Sequence, residues 1–221
     1  MAKKYGIEVE TIMMIKSFIK KIKYLLYHKW ATKLKVLALT SKQNEIKLEI
    51  GAGTFKGKNG WTTLDINTTC DLYWDLRDGI PFPDNSVSKI YSSHLFEHIP
   101  YNGIVRLLSE CKRVLKKDGV FSICVPNSRP YIMGYANKDD TFWKSISSFY
   151  TPALTHNTPI DMINYVAYMN EEHKYLFDEE NLVAIIKDNG FKNVKLRPFD
   201  SELDLKERDL ESIYAIGIVD K

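Results

Sequence analysis

The stretch Ile46-Lys-Leu-Glu-Ile-Gly-Ala-Gly-Thr54 alternates apolar and polar residues and then breaks at two glycines. A second short run, Trp61-Thr-Thr-Leu-Asp-Ile66, places Asp65 fourteen positions after Gly51. Alternation with period two marks a strand, and glycine at its end lets the backbone turn sharply and approach a ligand. In an open parallel sheet both features fall at the carboxyl edge, where α/β folds bind nucleotide-like molecules. Asp65 is suited there to accept hydrogen bonds from ribose hydroxyls.

Outward from this pair the chain alternates strands and helices. Strands are expected at 46–50, 61–66, 71–76, 88–93 and 119–125. A helix over 101–116, with Ile104, Leu107, Leu108, Cys111, Val114 and Leu115 on one face, should end at Lys116-Lys-Asp-Gly119, with cations in the last turn and glycine beyond. Another helix is expected over 178–189, entered through Asp178 and stopped by Asn189-Gly190, then two late strands at 192–198 and 212–219. This order predicts an α/β fold: a Rossmann-like, doubly wound, mostly parallel sheet with an antiparallel terminal strand pair. Only seven residues separate Gly53 from Trp61, too few for a crossover helix, so the first connection should be a loop.

At 221 residues the chain has length for one medium domain and an appendage. Cys70, Cys111 and Cys124 show no metal-ligand spacing and cannot all pair, a pattern of reducing compartments. Cys111 fits the apolar face of a helix and Cys124 a buried strand position. No metal ligand is assigned. Residues 1–47 carry eleven lysines against three glutamates, a net of +8, whereas the remainder carries twenty cations against twenty-five acids, a net of −5. A basic segment, 1–45, thus precedes a mildly acidic domain, 46–221. Ile15, Phe18, Ile19, Ile22, Leu25 and Leu26 recur at helical spacing and predict an amphipathic helix over 9–30, with an ill-defined connection to residue 45. Such a helix can lie on a membrane surface or a partner. Equally, it can pack on the domain or on a second subunit as a homodimer contact. No apolar run reaches transmembrane length and no secretory core is seen, so a cytoplasmic protein is expected, peripheral at the inner membrane surface if the helix binds there.

Residues 127–177 interrupt the sheet pattern with ten aromatics: Tyr131, Tyr135, Phe142, Trp143, Phe149, Tyr150, Tyr165, Tyr168, Tyr175 and Phe177. Following the fifth strand directly, this insertion can arch over the carboxyl edge as a substrate-side lid, or form a helical satellite core; the two are compatible.

Four features converge on the edge. Glu49 adjoins the glycine turn, Asp65 ends the second strand, and Asp75-Leu76 ends the third. The fourth strand opens through Ser93 into His94-Leu-Phe-Glu-His98. With Gly60-Trp-Thr-Thr-Leu-Asp65, the run Asp75-Leu-Arg-Asp-Gly-Ile-Pro-Phe-Pro-Asp-Asn-Ser86, Leu107 to Val120, His173-Lys-Tyr-Leu-Phe-Asp178 and Gly190-Phe-Lys-Asn-Val194, the sequence resembles class I S-adenosylmethionine-dependent methyltransferases. It is most similar to a small bacterial branch associated with surface-polysaccharide biosynthesis. The resemblance covers residues 46–219.

It implies that Glu49 and the Gly51-Ala52-Gly53 backbone hold the methionine part of S-adenosylmethionine. Asp65, with Ile66 beside it, would bind the ribose, Asp75 the adenine amino group with Leu76 against the ring, and Ser93–His94 would face the methyl sulfonium. A sulfonium bearing an ammonium group tolerates these carboxylates, whereas a pyrophosphate is repelled by them. The implied reaction is an in-line displacement at the methyl carbon, with a small-molecule or glycan acceptor. His94 and His98 are candidate bases at what reads as a helix start, and His173 joins them if the insertion folds over the site. A nicotinamide-dependent oxidoreductase or epimerase would want glycine where Lys56 stands. A non-catalytic scaffold is the reading from another class. Nucleic acid is not an expected partner, given the acidic domain.

Overall fold

The computed structural model describes residues 2–147 and 158–221. Phe149 and Tyr150 of the aromatic insertion lie outside the described residues.

Seven strands form one sheet: β1 (Lys47–Ile50), β2 (Trp61–Asp65), β3 (Leu72–Tyr73), β4 (Val87–Ser93), β5 (Leu115–Pro126), β6 (Lys192–Leu196) and β7 (Ser212–Ile218). Their spatial order is β3-β2-β1-β4-β5-β7-β6. β1 to β5 are mutually parallel, while β7 runs antiparallel to both β5 and β6. The doubly wound fold with its terminal antiparallel pair is therefore as expected. The strand order reverses between β1 and β4, the switch point at whose carboxyl edge open α/β sheets place their ligand crevice.

The core follows from the sequence pattern. Leu48, Ile50, Leu64, Ile90, Phe121, Ile123 and Val125 on the strands are almost wholly buried. Helix α2 (Tyr101–Val114) presents Ile104, Leu107, Leu108, Cys111 and Val114 to them, spaced at three and four residues. Phe121 stacks between Phe96 and Phe191, with ring centroids 5.9 and 5.2 Å away. Each such side chain contributes roughly 1.5–3 kcal/mol of transfer free energy. The three cysteines are free and buried. Helices α3 (Arg129–Ala136), α4 (Asp140–Ser147) and α5 (Pro159–Tyr168) precede α6 (Glu179–Asp188), which covers the β6–β7 end.

Two boundaries within the sheet region differ from expectation, one set by a sheet partner and one by a local cap. α2 stops at Val114, not at 116. Leu115 already pairs with Val87 in the sheet, and the left-handed residue of the following turn is Asp118 (φ 60°), not Gly119. The third strand does not reach 76. Asp75 instead caps a 3-10 turn, Leu76–Asp78, by accepting from the Arg77 N–H at 2.9 Å.

The first helix, α1, runs without a break from Ala2 to Lys42, so the segment expected to be an ill-defined connection is helical. What fixes it is the sheet edge. Val36 is buried in the main core with Leu39 packed beside it, Lys35 Nζ donates to the Asp71 carbonyl at 2.6 Å, and Lys29 pairs with Asp78 at 2.5 Å. The β1–β2 connection is a loop, as expected, and α1 contributes cover on the flank where that loop supplies no helix. The earlier part of α1 is different. Ile12, Met13, Met14 and Ile15 are consecutive and all exposed, so apolar side chains wrap more than one face rather than forming a single stripe. Among the described residues, no helix is long and apolar enough to cross a membrane.

Candidate functional site

The glycine turn sits at the end of β1, at the switch point of the sheet. Gly51 (φ 72°) and Gly53 (φ 64°) both take left-handed conformations that side chains resist. A Cβ on Gly51 would lie 2.6 Å from the Leu95 side chain, whereas one on Gly53 would meet open space. The turn is latched to the neighbouring strand: the Gly53 N–H donates to Asp65 Oδ2 at 3.0 Å, and the Asn67 N–H donates to Oδ1 at 3.0 Å. Each Asp65 oxygen thus keeps one lone pair free, a spacing suited to a vicinal diol. Ala52 is buried beneath the turn, while Ile66 is exposed beside Asp65. Glu49 is half-buried, and burial raises its carboxyl above the ordinary range.

Asp75 and Leu76 follow β3 at the same edge. The Arg77 guanidinium grips both oxygens of Asp75, at 2.6 to 3.0 Å, and holds its carboxyl below the usual range. Arg77 is itself largely exposed, so a ligand at Asp75 competes with a weakly held partner. Two further groups, not singled out in the sequence, fix loops nearer the amino end of the sheet. Asp71 Oδ2 accepts from the Gly57 N–H and from both the N–H and hydroxyl of Thr63, all at 3.0 Å, pinning the β1–β2 loop. Arg113 donates to the carbonyls of Ile80 and Phe82 and pairs with Glu110 and Asp84, which fixes the proline-rich run after β3. Paired charges three apart on α2 were the available signal.

Beyond Ser93, at the end of β4, the chain bends at His94, which has φ 49°. It then forms a 3-10 turn, Phe96–His98, rather than a helix start; Pro100 intervenes before α2 begins. His94, Glu97, His98 and His173 meet there. His94 Nδ1 is 3.4 Å and His98 Nε2 3.9 Å from Glu97 Oε1, and the His98 and His173 rings are 4.8 Å apart between centroids. His173 arrives because the Lys174 and Tyr175 N–H groups donate to the Glu97 carbonyl at 2.7 and 3.1 Å. Burial, then Arg208, pushes His94 down to about 3, and burial pushes Glu97 up to about 8. Among the described residues, the Glu97 carboxylate makes no hydrogen bond.

These groups line a cavity of about 230 Å³, walled by Tyr131, Tyr165, Val166 and Met169 of the insertion and by Arg208 and Glu211 before β7. Described residues of the insertion therefore wall the cavity at this edge. The insertion also has its own core of Tyr131, Ile146, Met162 and Val166, the satellite arrangement. A larger cleft of about 590 Å³ lies at the opposite, amino end of the sheet, between α1 and Trp61, and holds none of this cluster.

Residues 68–123 match the family model described as a methyltransferase domain. No curated protein matches the chain. Among solved structures, a SAM-dependent methyltransferase from Archaeoglobus fulgidus is 18% identical with a TM-score of 0.47, covering 88% of this chain and 99% of that one. A possible histamine N-methyltransferase from Thermotoga maritima is 15% identical with a TM-score of 0.48, covering 91% and 95%. Phosphoethanolamine N-methyltransferase 2 of Haemonchus contortus, in complex with S-adenosyl-L-methionine, is 13% identical with a TM-score of 0.49; this chain spans 53% of its length. The stretch that matches the methyltransferase domain runs from the end of the β2–β3 turn into β5, and contains Asp75, Leu76, Ser93, His94, Glu97 and His98.

Proposed function

We propose that the protein is an S-adenosylmethionine-dependent methyltransferase that acts on an oxygen or nitrogen of a small acceptor, a sugar or glycan precursor. The observation that carries the reading is the latch between Gly53 and Asp65 at the switch point, with bare backbone on one side and two free carboxylate lone pairs on the other. The donor set around it fits the cofactor. Glu49, Asp65 and Asp75 suit an ammonium, a ribose diol and an adenine amino group, and oppose a pyrophosphate. When bound, the cofactor supplies an activated methyl group on a sulfonium. The work left to this chain is alignment and exclusion of water.

Alignment falls to the turn, to Asp65 and Asp75, and to Leu76 as an apolar rest for the base. Exclusion of water falls to the aromatic wall over the smaller cavity. Its size suits a compact acceptor, and the half-buried Tyr165 there suits stacking on a sugar ring. His94, His98 and His173 are our candidates for the acceptor side. His94 has both nitrogens turned to protein groups, Ser212 and Glu97, which favours a positioning role for it. His98 has the more open side chain of the two, at 33% against 13% exposure, and we assign it the place nearest the acceptor. We also assign the exposed stretch 11–20 of α1 to contact with a membrane surface or a second subunit, on the strength of its basic, apolar surface.

Calorimetry tests the cofactor assignment. S-adenosylmethionine should bind the native chain and fail to bind Asp65→Ala; equal binding to both overturns it. Methyl transfer from labelled cofactor to nucleotide sugars and lipid-linked glycans then tests the acceptor class, and transfer only to other acceptors removes the sugar reading.

A further inference from the structure

The three imidazoles around Glu97 all have a proton directed elsewhere. His173 Nδ1 lies 2.7 Å from the Val166 carbonyl, an acceptor only, so Nδ1 carries the hydrogen and Nε2 the lone pair. His98 Nδ1 faces the Glu172 carbonyl at 3.3 Å, which leaves Nε2 bare toward Glu97. His94 Nε2 lies 2.9 Å from Ser212 Oγ, whose own hydrogen is committed to the Arg208 carbonyl at 2.7 Å. Nε2 is therefore the donor, and the Nδ1 lone pair faces Glu97. Glu97 is 2% exposed, and neither of its oxygens has a hydrogen-bond partner among the described residues.

A convergence of acceptors without a donor is costly when buried. A single proton on Glu97 serves one of the facing lone pairs and leaves the others unmet. A cation serves several at once. Glu97, His98 and His173 each present a ligand atom, all within 4.8 Å of one another. A tetrahedral ion bound at about 2.1 Å would set its ligands about 3.4 Å apart, so small side-chain rotations close the set. The carbonyls of Val166 and Glu172 orient the two rings as outer partners orient metal-binding histidines. Two imidazoles and a carboxylate suit zinc and its first-row neighbours rather than magnesium or calcium.

We propose that Glu97, His98 and His173 form a binding site for one divalent transition-metal ion, with its open coordination position facing the acceptor cavity. The sequence alone gave no metal signal, because His173 lies 75 positions from His98 and only the insertion brings them together. In the methyl-transfer reading, the open position would take an acceptor oxygen and favour its deprotonation. That role rests on the reading; the site itself does not.

The full chain, stripped by a chelator, is titrated with zinc by calorimetry and with cobalt by visible absorption, both without cofactor. One equivalent should bind. Glu97→Gln and His173→Ala should each weaken zinc by at least about tenfold, and His28→Ala, on α1, should bind as the native chain does. No saturable binding by the native chain, or equal binding by Glu97→Gln and His173→Ala, overturns the site. Glu97→Gln preserves shape, so it decides the matter if thermal unfolding shows that His173→Ala is not folded. S-adenosylmethionine titrated into the same metal-free protein separates the two ideas: cofactor binding without zinc binding removes only the metal, and the converse removes only the methyl-transfer reading.

Discussion

Thr32 and Tyr73 close a reciprocal pair: the Thr32 hydroxyl donates to the Tyr73 carbonyl at 2.9 Å and accepts from the Tyr73 N–H at 3.0 Å. Tyr73 ends β3, the edge of the sheet, where backbone groups otherwise lack partners. One helical side chain thus completes the edge, and it is 2% exposed. Thr32→Val keeps the shape and removes both bonds. Urea unfolding should show a loss of about 2 kcal/mol with an unchanged slope, while Thr32→Ser should lose less. Native stability in Thr32→Val would show that water replaces the hydroxyl without cost.

Gly51 and Gly53 differ in what surrounds them, and the difference separates stability from binding. Gly51→Ala combines a left-handed backbone with a Cβ 2.6 Å from Leu95, so it should destabilise by about 2 kcal/mol or more. Gly53→Ala faces open space and carries only the conformational cost, about 1 kcal/mol. If the ligand approaches the turn, Gly53→Ala should nonetheless weaken S-adenosylmethionine at least tenfold in calorimetry. Unchanged affinity would place the ligand away from Gly53.

The first strands were legible because they announce themselves locally: Leu48 and Ile50 alternate with polar residues, glycine ends the first run and aspartate the second. The edge residues were legible for the same reason, since parallel strands bring their carboxyl ends together whatever lies between. The second half of α1 was not. Thr32 and Val36 are β-branched and weaken the helical pattern, and their reason for being there is the sheet edge and the core. The Glu97 cluster was half legible. His94 and His98 stand in one short motif, but nothing beside Glu97 in the chain signals its burial, and Arg208 and Glu211 lie more than a hundred residues away.

The two parts of α1 should separate on truncation. Removing residues 1–26 deletes exposed apolar side chains and leaves the Lys29–Asp78, Thr32–Tyr73 and Val36 contacts in place. The unfolding midpoint should stay within about 2–4 °C of the native value, equivalent to roughly 1 kcal/mol, while binding to anionic vesicles or self-association falls. Removing residues 1–42 should lower the midpoint sharply, because it opens the core at Val36 and strips the β3 edge. A short truncation that alters neither vesicle binding nor oligomeric state would leave the exposed helix without the role assigned to it.

Glu211 offers a pH test of the aromatic-walled cavity. Burial pushes its carboxyl up to about 7, so the folded chain retains a proton that the unfolded chain releases from about 4.5 upward. The folded state therefore binds more protons across that window, and this group's contribution makes stability fall as pH rises from about 4.5 to 7. Glu97, driven up to about 8, acts in the same sense as Glu211, and His94, driven down to about 3, acts in the opposite sense between about 3 and 6.5, so the native profile sums all three. Glu211→Gln isolates the acid. Its stability relative to the native chain should climb through pH 4.5–7 and level off above it, by about 1–2 kcal/mol after allowance for partial exposure. Unfolding midpoints at half-unit pH steps measure the difference, and a flat difference would mean that Glu211 is solvated and the cavity open to water.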